Sequence, residues 1–202
     1  MASTEIRGAI LAGGRATRYG GQPKGLIPIG GRRIIDRLVA EFETALGAPP
    51  LLVANAPDAA AWVPGLTVAA DVMADAGALG GLLTAVAEAP APVVCVAWDM
   101  PFVTAALLRR LADGLDRADA CLPESDGPRG VEPLCAGYGP AADAAIRRAI
   151  GRGDLRAVGF HEGLRIERVP LAEIAGFDDP ARLFFNVNRP EDAESAEYLA
   201  RK

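Results

Sequence analysis

The sequence predicts an α/β protein built on a mostly parallel central sheet with helices on both faces. Three observations carry that expectation. Strand-sized apolar runs alternate with stretches of helical periodicity along the whole chain. The best runs are continuously apolar, as strands covered on both faces are. With 202 residues, half of them apolar, there is enough material for one substantial core. No repeat, low-complexity tract or linker divides the chain, so residues 1–202 read as a single domain.

The elements follow in order. Residues 6–11 form a short apolar run stopped by Ala12, Gly13 and Gly14, a buried strand running into a glycine loop. Ile34, Ile35, Leu38, Val39, Phe42 and Leu46 recur at helical spacing, which predicts a helix over 34–46 ended by Gly47. Runs 51–54 and 66–70 are strand-sized, 79–89 is helical, and 93–97 is the most strand-like segment of all. A second amphipathic helix spans 105–115, with Thr104 as its N-cap. Strands are expected over 119–122 and 134–138, a helix over 141–150 and an extended stretch over 184–187. Pro190 opens a last helix with Glu191 and Asp192 in its first turn, where the helix dipole favours anions. In open sheets of this kind ligands bind beyond the carboxyl ends of the strands, so those positions hold the candidates.

Composition removes several functions. A net charge of −5 argues against a general nucleic-acid binder, whose footprint is basic. No apolar stretch approaches membrane-spanning length, and the first residues lack the pattern of a secretory signal. Cys95, Cys121 and Cys135 are odd in number and unpaired in spacing, so they read as buried thiols in a reducing compartment, not as disulfides or a zinc site. His161 is the only histidine, which leaves little room for histidine catalysis or a multi-histidine metal site; it reads as a structural residue. Positive charge is overwhelmingly arginine: Lys24 and the terminal Lys202 are the only lysines.

The loop from Leu11 to Lys24 follows the first strand. Its glycines let backbone N–H groups approach a phosphate closely, and Arg18 and Lys24 add two cations. It is neither a P-loop nor a G-x-G-x-x-G dinucleotide loop. The bland alternative is a surface turn with two solvated cations. Lys24 weighs against it, because a compact ammonium sits between phosphate oxygens where a planar guanidinium does not fit equally well. Asp99 follows the strand at 93–97 and is placed to hold Mg²⁺ against phosphates, the alternative being a turn aspartate before a helix. Asp71 ends another run before Gly77-Ala78-Leu79-Gly80-Gly81. Its carboxylate can accept two N–H donors together, or else merely caps a turn.

Leu-Ala-Gly-Gly followed by an arginine, a glycine and a lysine at these intervals resembles the signature loop of pyrophosphorylase-type nucleotidyltransferases. Gly13, Asp-Met-Pro at Asp99 and the terminal Asn186-Val187-Asn188-Arg189-Pro190-Glu191-Asp192 look most like the molybdenum cofactor guanylyltransferases. Ala16 and Tyr19 depart from the serine and methionine common there, and Arg189 from a threonine. The resemblance implies a three-layer Rossmann-like nucleotidyltransferase fold and a cytoplasmic enzyme that joins GMP from GTP to Mo-molybdopterin with Mg²⁺. Molybdoenzymes or cofactor-delivery proteins are its further implied partners. Carried over by position, Lys24, Arg18 and Asp99 are catalytic, with Asp99 on the metal. Leu11, Ala12, Gly13, Gly14, Lys24, Asn55, Asp71, Gly81 and Asp99 bind nucleotide, and Asn186 and Asn188 face the acceptor. Glu132 stands where relatives often have histidine or glutamine; it brings negative charge near an anionic acceptor, which Arg129 is positioned to offset. Cytidylyl transfer, nucleotidyl transfer to a sugar phosphate and a non-catalytic nucleotide or cofactor carrier remain as alternatives.

Overall fold

A computed structural model describes residues 5–13, 23–89 and 91–201. The first strand, β1 (Arg7–Leu11), is followed after the glycine loop by a 3-10 turn at Lys24–Leu26 and a small hairpin, β2 (Pro28–Ile29) with β3 (Arg32–Arg33). Then come α1 (Ile34–Leu46), β4 (Leu51–Val53), β5 (Val68–Ala69), α2 (Gly77–Glu88), β6 (Val93–Ala97) and α3 (Ala105–Gly114). The second half holds β7 (Ala120–Pro123), β8 (Cys135–Tyr138), α4 (Ala141–Gly151) and β9 (Ile166–Val169). Three helices close it: α5 (Leu171–Ile174), α6 (Pro180–Leu183) and α7 (Pro190–Leu199).

The main sheet runs β5-β4-β1-β6-β8-β7-β9. Pairings β1–β4, β1–β6, β4–β5 and β7–β9 are parallel; β8 alone runs against its neighbours β6 and β7. The expected mostly parallel sheet is therefore present, and the antiparallel strand has a local consequence: the start of β8 lies at the same edge as the end of β6.

Period-two alternation along the strands divides the core into two layers. Ile10, Val94 and Val96 pack on α1 and α3, while Ala9, Leu11, Val93 and Cys95 pack on α2 and α4. Burying each such leucine, isoleucine or valine fully contributes about 1.5–3 kcal/mol, so these two faces hold the sheet between its helices. Gly8 sets the spacing of α1. A Cβ there would lie 2.5 Å from the Phe42 ring, so only glycine lets the helix settle onto β1 at this distance. α1 stops as expected at Gly47, whose φ of 74° is left-handed and whose N–H donates to Glu43 C=O. Thr104 caps α3 as expected, its hydroxyl accepting from Leu107 N–H at 3.4 Å. Among the described residues no helix is long and apolar enough to cross a membrane.

Several expectations need correction. The helix expected over 79–89 begins at Gly77; its flank is so fully buried that packing outweighs the poor helix propensity of its glycines. The extended stretch expected over 184–187 joins no sheet: Phe184 closes the turn after α6, and Val187 N–H donates to Asp99 C=O at 2.8 Å. β9 carries one core residue and two charges among its four residues, too short to announce a period, and the β2–β3 hairpin is shorter still.

Candidate functional site

At the carboxyl edge of the sheet lies a cavity of about 880 Å³. Four strands deliver residues to it in succession: β1 gives Leu11, Ala12 and Gly13, β4 gives Asn55, β5 gives Asp71 and β6 gives Asp99. Asn186 and Asn188 arrive from the segment before α7, and Gly77, Ala78 and Gly81 from the first turns of α2. At a helix start the first N–H groups have no partner within the helix, so Gly77 and Ala78 offer donors there. Of the residues singled out from sequence, Leu11, Ala12, Gly13, Asn55, Asp71, Gly81, Asp99, Asn186 and Asn188 line this one cavity. Gly14 and Arg18 lie outside the described residues.

Lys24 reaches the same place. Its Nζ donates to Asn188 Oδ1 at 2.7 Å and stands 3.7 Å from Asp99 Oδ2, with side chains only 18% and 15% exposed. Three segments far apart in sequence thus meet around one ammonium. Burial pushes the Asp99 carboxyl above the usual carboxylate range, and the Lys24 charge opposes this only in part. Asn188 does not cap α7, the plainer role open to it. Arg189 is the N-cap, and Asp192 accepts from the Arg189 and Asn188 N–H groups, both at 2.8 Å. Asn188's side chain is thereby left for Lys24. Asn186 is turned back on its own segment, donating to Phe184 C=O.

Asn55 and Asp71 hold each other. Asp71 N–H donates to Asn55 Oδ1 at 2.7 Å, which leaves Asn55 Nδ2 to donate to Asp71 Oδ2 at 2.8 Å. The other carboxylate oxygen lies against Gly81, 3.7 Å from where a Cβ would be. Gly80 is tighter, its Cβ position being 2.9 Å from Met73 C=O. The glycines of this turn therefore let the Asp71 loop sit directly on α2 and leave its carboxylate open to the cavity.

Sequence reasoning passed over Trp62 and Trp98, which line the cavity and stack at 5.2 Å between ring centroids. Trp98 lies on the Lys24 turn: a Cβ on Gly25 would be 2.5 Å from its ring. Both tryptophans sit in turns with no periodic signal, so nothing in the pattern connects them. Asp58, which accepts from Trp62 Nε1, and Asp75, at a left-handed φ of 59°, also line the wall. Arg129 and Glu132 line it too, with no direct ion pair between them. His161 is elsewhere, edge-on to Phe160 and held neutral by burial with its pKa lowered to about 4. The three cysteines are free and buried in the core.

Asp99 suits a magnesium ion. Among the described residues no group of three or more histidines, cysteines and carboxylates gathers to form a complete metal cage. A single buried carboxylate short of positive charge matches the way magnesium is commonly held, by one or two carboxylates with phosphate oxygens and water supplying the rest.

Known proteins bear on this geometry. Residues 8–165 match the MobA-like NTP transferase domain. The chain is 30% identical over 195 residues to the molybdenum cofactor guanylyltransferase of Desulfosudis oleivorans, covering 95% of this chain and 94% of that one. It is 35% identical to the probable molybdenum cofactor guanylyltransferase of Chloroflexus aggregans, covering 93% and 91%. Among solved structures it resembles the molybdopterin-guanine dinucleotide biosynthesis protein A of Archaeoglobus fulgidus, with a TM-score of 0.80, 26% identity and coverage of 96% and 98%.

Proposed function

Since this chain belongs to the MobA-like NTP transferase family, we propose that it is a molybdenum cofactor guanylyltransferase, joining the GMP of GTP to Mo-molybdopterin and releasing pyrophosphate. The observation that carries this reading is the meeting of Lys24, Asp99 and Asn188 at the end of β6, inside a cavity with room for a nucleotide and an acceptor.

The reaction needs little covalent chemistry from the protein. An acceptor phosphate oxygen forms a bond to the α-phosphorus of GTP while the bond to the bridging oxygen breaks, and pyrophosphate leaves with that oxygen. Positioning and charge neutralisation suffice. Among the described residues no histidine or cysteine lines the cavity, which accords with a direct displacement. In this reading Lys24 and Arg18 neutralise phosphate charge, and the backbone of Leu11, Ala12, Gly13 and Gly14 cradles the triphosphate. Asn55 orients Asp71 toward the guanine beside Gly81, and Asn186 and Asn188 meet the acceptor. Asp99 holds Mg²⁺, which when bound supplies Lewis acidity and alignment to the reacting phosphate. The same reading makes this a cytoplasmic enzyme whose product passes to molybdoenzymes or cofactor-delivery proteins.

The test is turnover with each nucleoside triphosphate, Mo-molybdopterin and Mg²⁺, the product identified by mass. Pyrophosphate release with GTP and the mass of the guanine dinucleotide are expected. A preference for CTP overturns the guanylyl assignment, and nucleotide binding without pyrophosphate release would make the chain a carrier.

A further inference from the structure

Residues 124–134 leave β7, fold back through a bridge between Glu124 and Val131, and return to begin β8. Ala97 N–H donates to Leu134 C=O at 2.7 Å, which seats this segment beside the end of β6 and hence beside Asp99. Glu132 lines the cavity at that point. Among the described residues no hydrogen bond or ion pair engages its carboxylate, although Arg129 shares the wall. One of its oxygens lies against Gly127 of the same segment, 3.3 Å from where a Cβ would be. A carboxylate in the wall of a cavity for phosphates repels its ligand unless it also accepts hydrogen bonds from it.

Position decides which ligand that is. Asp71 follows β5, three strands from β6 on one side, or about 14 Å at about 4.8 Å per strand. Glu132 precedes β8, the neighbour of β6 on the other side. With guanine at Asp71 and the reacting phosphates near Asp99, Glu132 belongs to the acceptor's half of the cavity. A pterin carries a ring N–H and an exocyclic amino group side by side on its pyrimidinone ring, the same donor pair that guanine presents. A carboxylate accepts both in two charge-assisted hydrogen bonds.

We infer that Glu132 binds the amino-pyrimidinone edge of the pterin acceptor, so that the cavity carries one recognition device at each end, Asp71 for guanine and Glu132 for pterin. The inference rests on the proposed guanylyl transfer and adds to it the residue that selects the acceptor.

The test uses the full chain with 6-hydroxymethylpterin and its lumazine analogue, in which the amino group is replaced by a carbonyl. Wild type is expected to bind the pterin at least about tenfold more tightly than the lumazine, the scale of one charge-assisted hydrogen bond. Glu132→Gln should erase most of that preference, and the KM for Mo-molybdopterin should rise about tenfold while the KM for GTP does not follow. Equal binding of the two probes by wild type overturns the inference, as does a preference that survives in Glu132→Gln. These binding arms do not depend on turnover. Glu132-dependent pterin binding without dinucleotide formation would sink the transferase reading alone.

Discussion

Burial holds the Asp99 carboxyl above the usual carboxylate range, and the Lys24 ammonium at 3.7 Å opposes that without cancelling it. The sign of the consequence is definite. The folded chain keeps the Asp99 proton to higher pH than the unfolded chain does. Stability therefore falls as pH rises from the ordinary carboxylate range through Asp99's own raised value. An amide in place of this carboxyl has no such proton to lose. In metal-free buffer with a chelator, Asp99→Asn is expected to melt above wild type at neutral pH, and the two should converge below the ordinary carboxylate range. With GTP, Mo-molybdopterin and Mg²⁺ the same variant should lose roughly a hundredfold or more of its pyrophosphate release, the scale of removing one charge-stabilising group at a transition state. Thermal melts across pH and a pyrophosphate assay check the two halves. Lower stability at neutral pH would mean that the pairing with Lys24 outweighs the cost of burial. Unimpaired turnover would overturn the proposed role of Asp99 in holding the metal.

At the scale of elements, what was legible in the sequence was whatever announces itself by local pattern. The continuous run of β6, the helical spacing in α1 with its Gly47 stop, and the Thr104 cap are short-range signals, and each is present in the structure. Lys24, Asp99 and the terminal asparagines were found because they stand at strand ends or in a family-like motif. Their meeting was not legible, because it depends on contacts across 164 residues. The tryptophan pair and β9 were missed for the same reason: their identity comes from neighbours, not from period. Gly8 shows how much an element can hang on such a neighbour. Replacing glycine with alanine where φ permits commonly stabilises a protein by about 0.4–1 kcal/mol through the unfolded chain. Here the added Cβ meets the fully buried Phe42 ring at 2.5 Å, and overpacking of that kind costs about 1–3 kcal/mol. The clash is the larger effect, so Gly8→Ala should lower the melting temperature by a few degrees. The kcat of the folded enzyme should be retained, since Gly8 is at the far end of β1 from Gly13. An unchanged or raised melting temperature would show that α1 shifts freely to make room.

Ligand binding is read at the scale of the whole molecule, because a nucleotide held as proposed, across the ends of β1, β4 and β5, would stabilise the folded chain against unfolding as a unit. At a GTP concentration one hundred times Kd the stabilisation is about 2.7 kcal/mol. For a chain of this size that raises the melting temperature by roughly 5–10 °C. Base selectivity can be read from the same shift. Asp71 N–H fixes the Asn55 oxygen, so Asn55 Nδ2 must point at the Asp71 side chain. In Asp71→Asn the new amide must then turn its oxygen toward Asn55 and its NH2 toward the cavity. Guanine would bring N–H donors to that NH2, donor against donor, whereas cytosine brings acceptors there. GTP affinity is therefore expected to fall at least about tenfold, which removes about 1.4 kcal/mol of stabilisation at the same concentration, while CTP loses nothing or gains. Melting curves of wild type and Asp71→Asn with each nucleotide separate the outcomes. If both nucleotides weaken alike, Asp71 supports the loop and does not read the base; if neither does, the guanine lies elsewhere in the cavity.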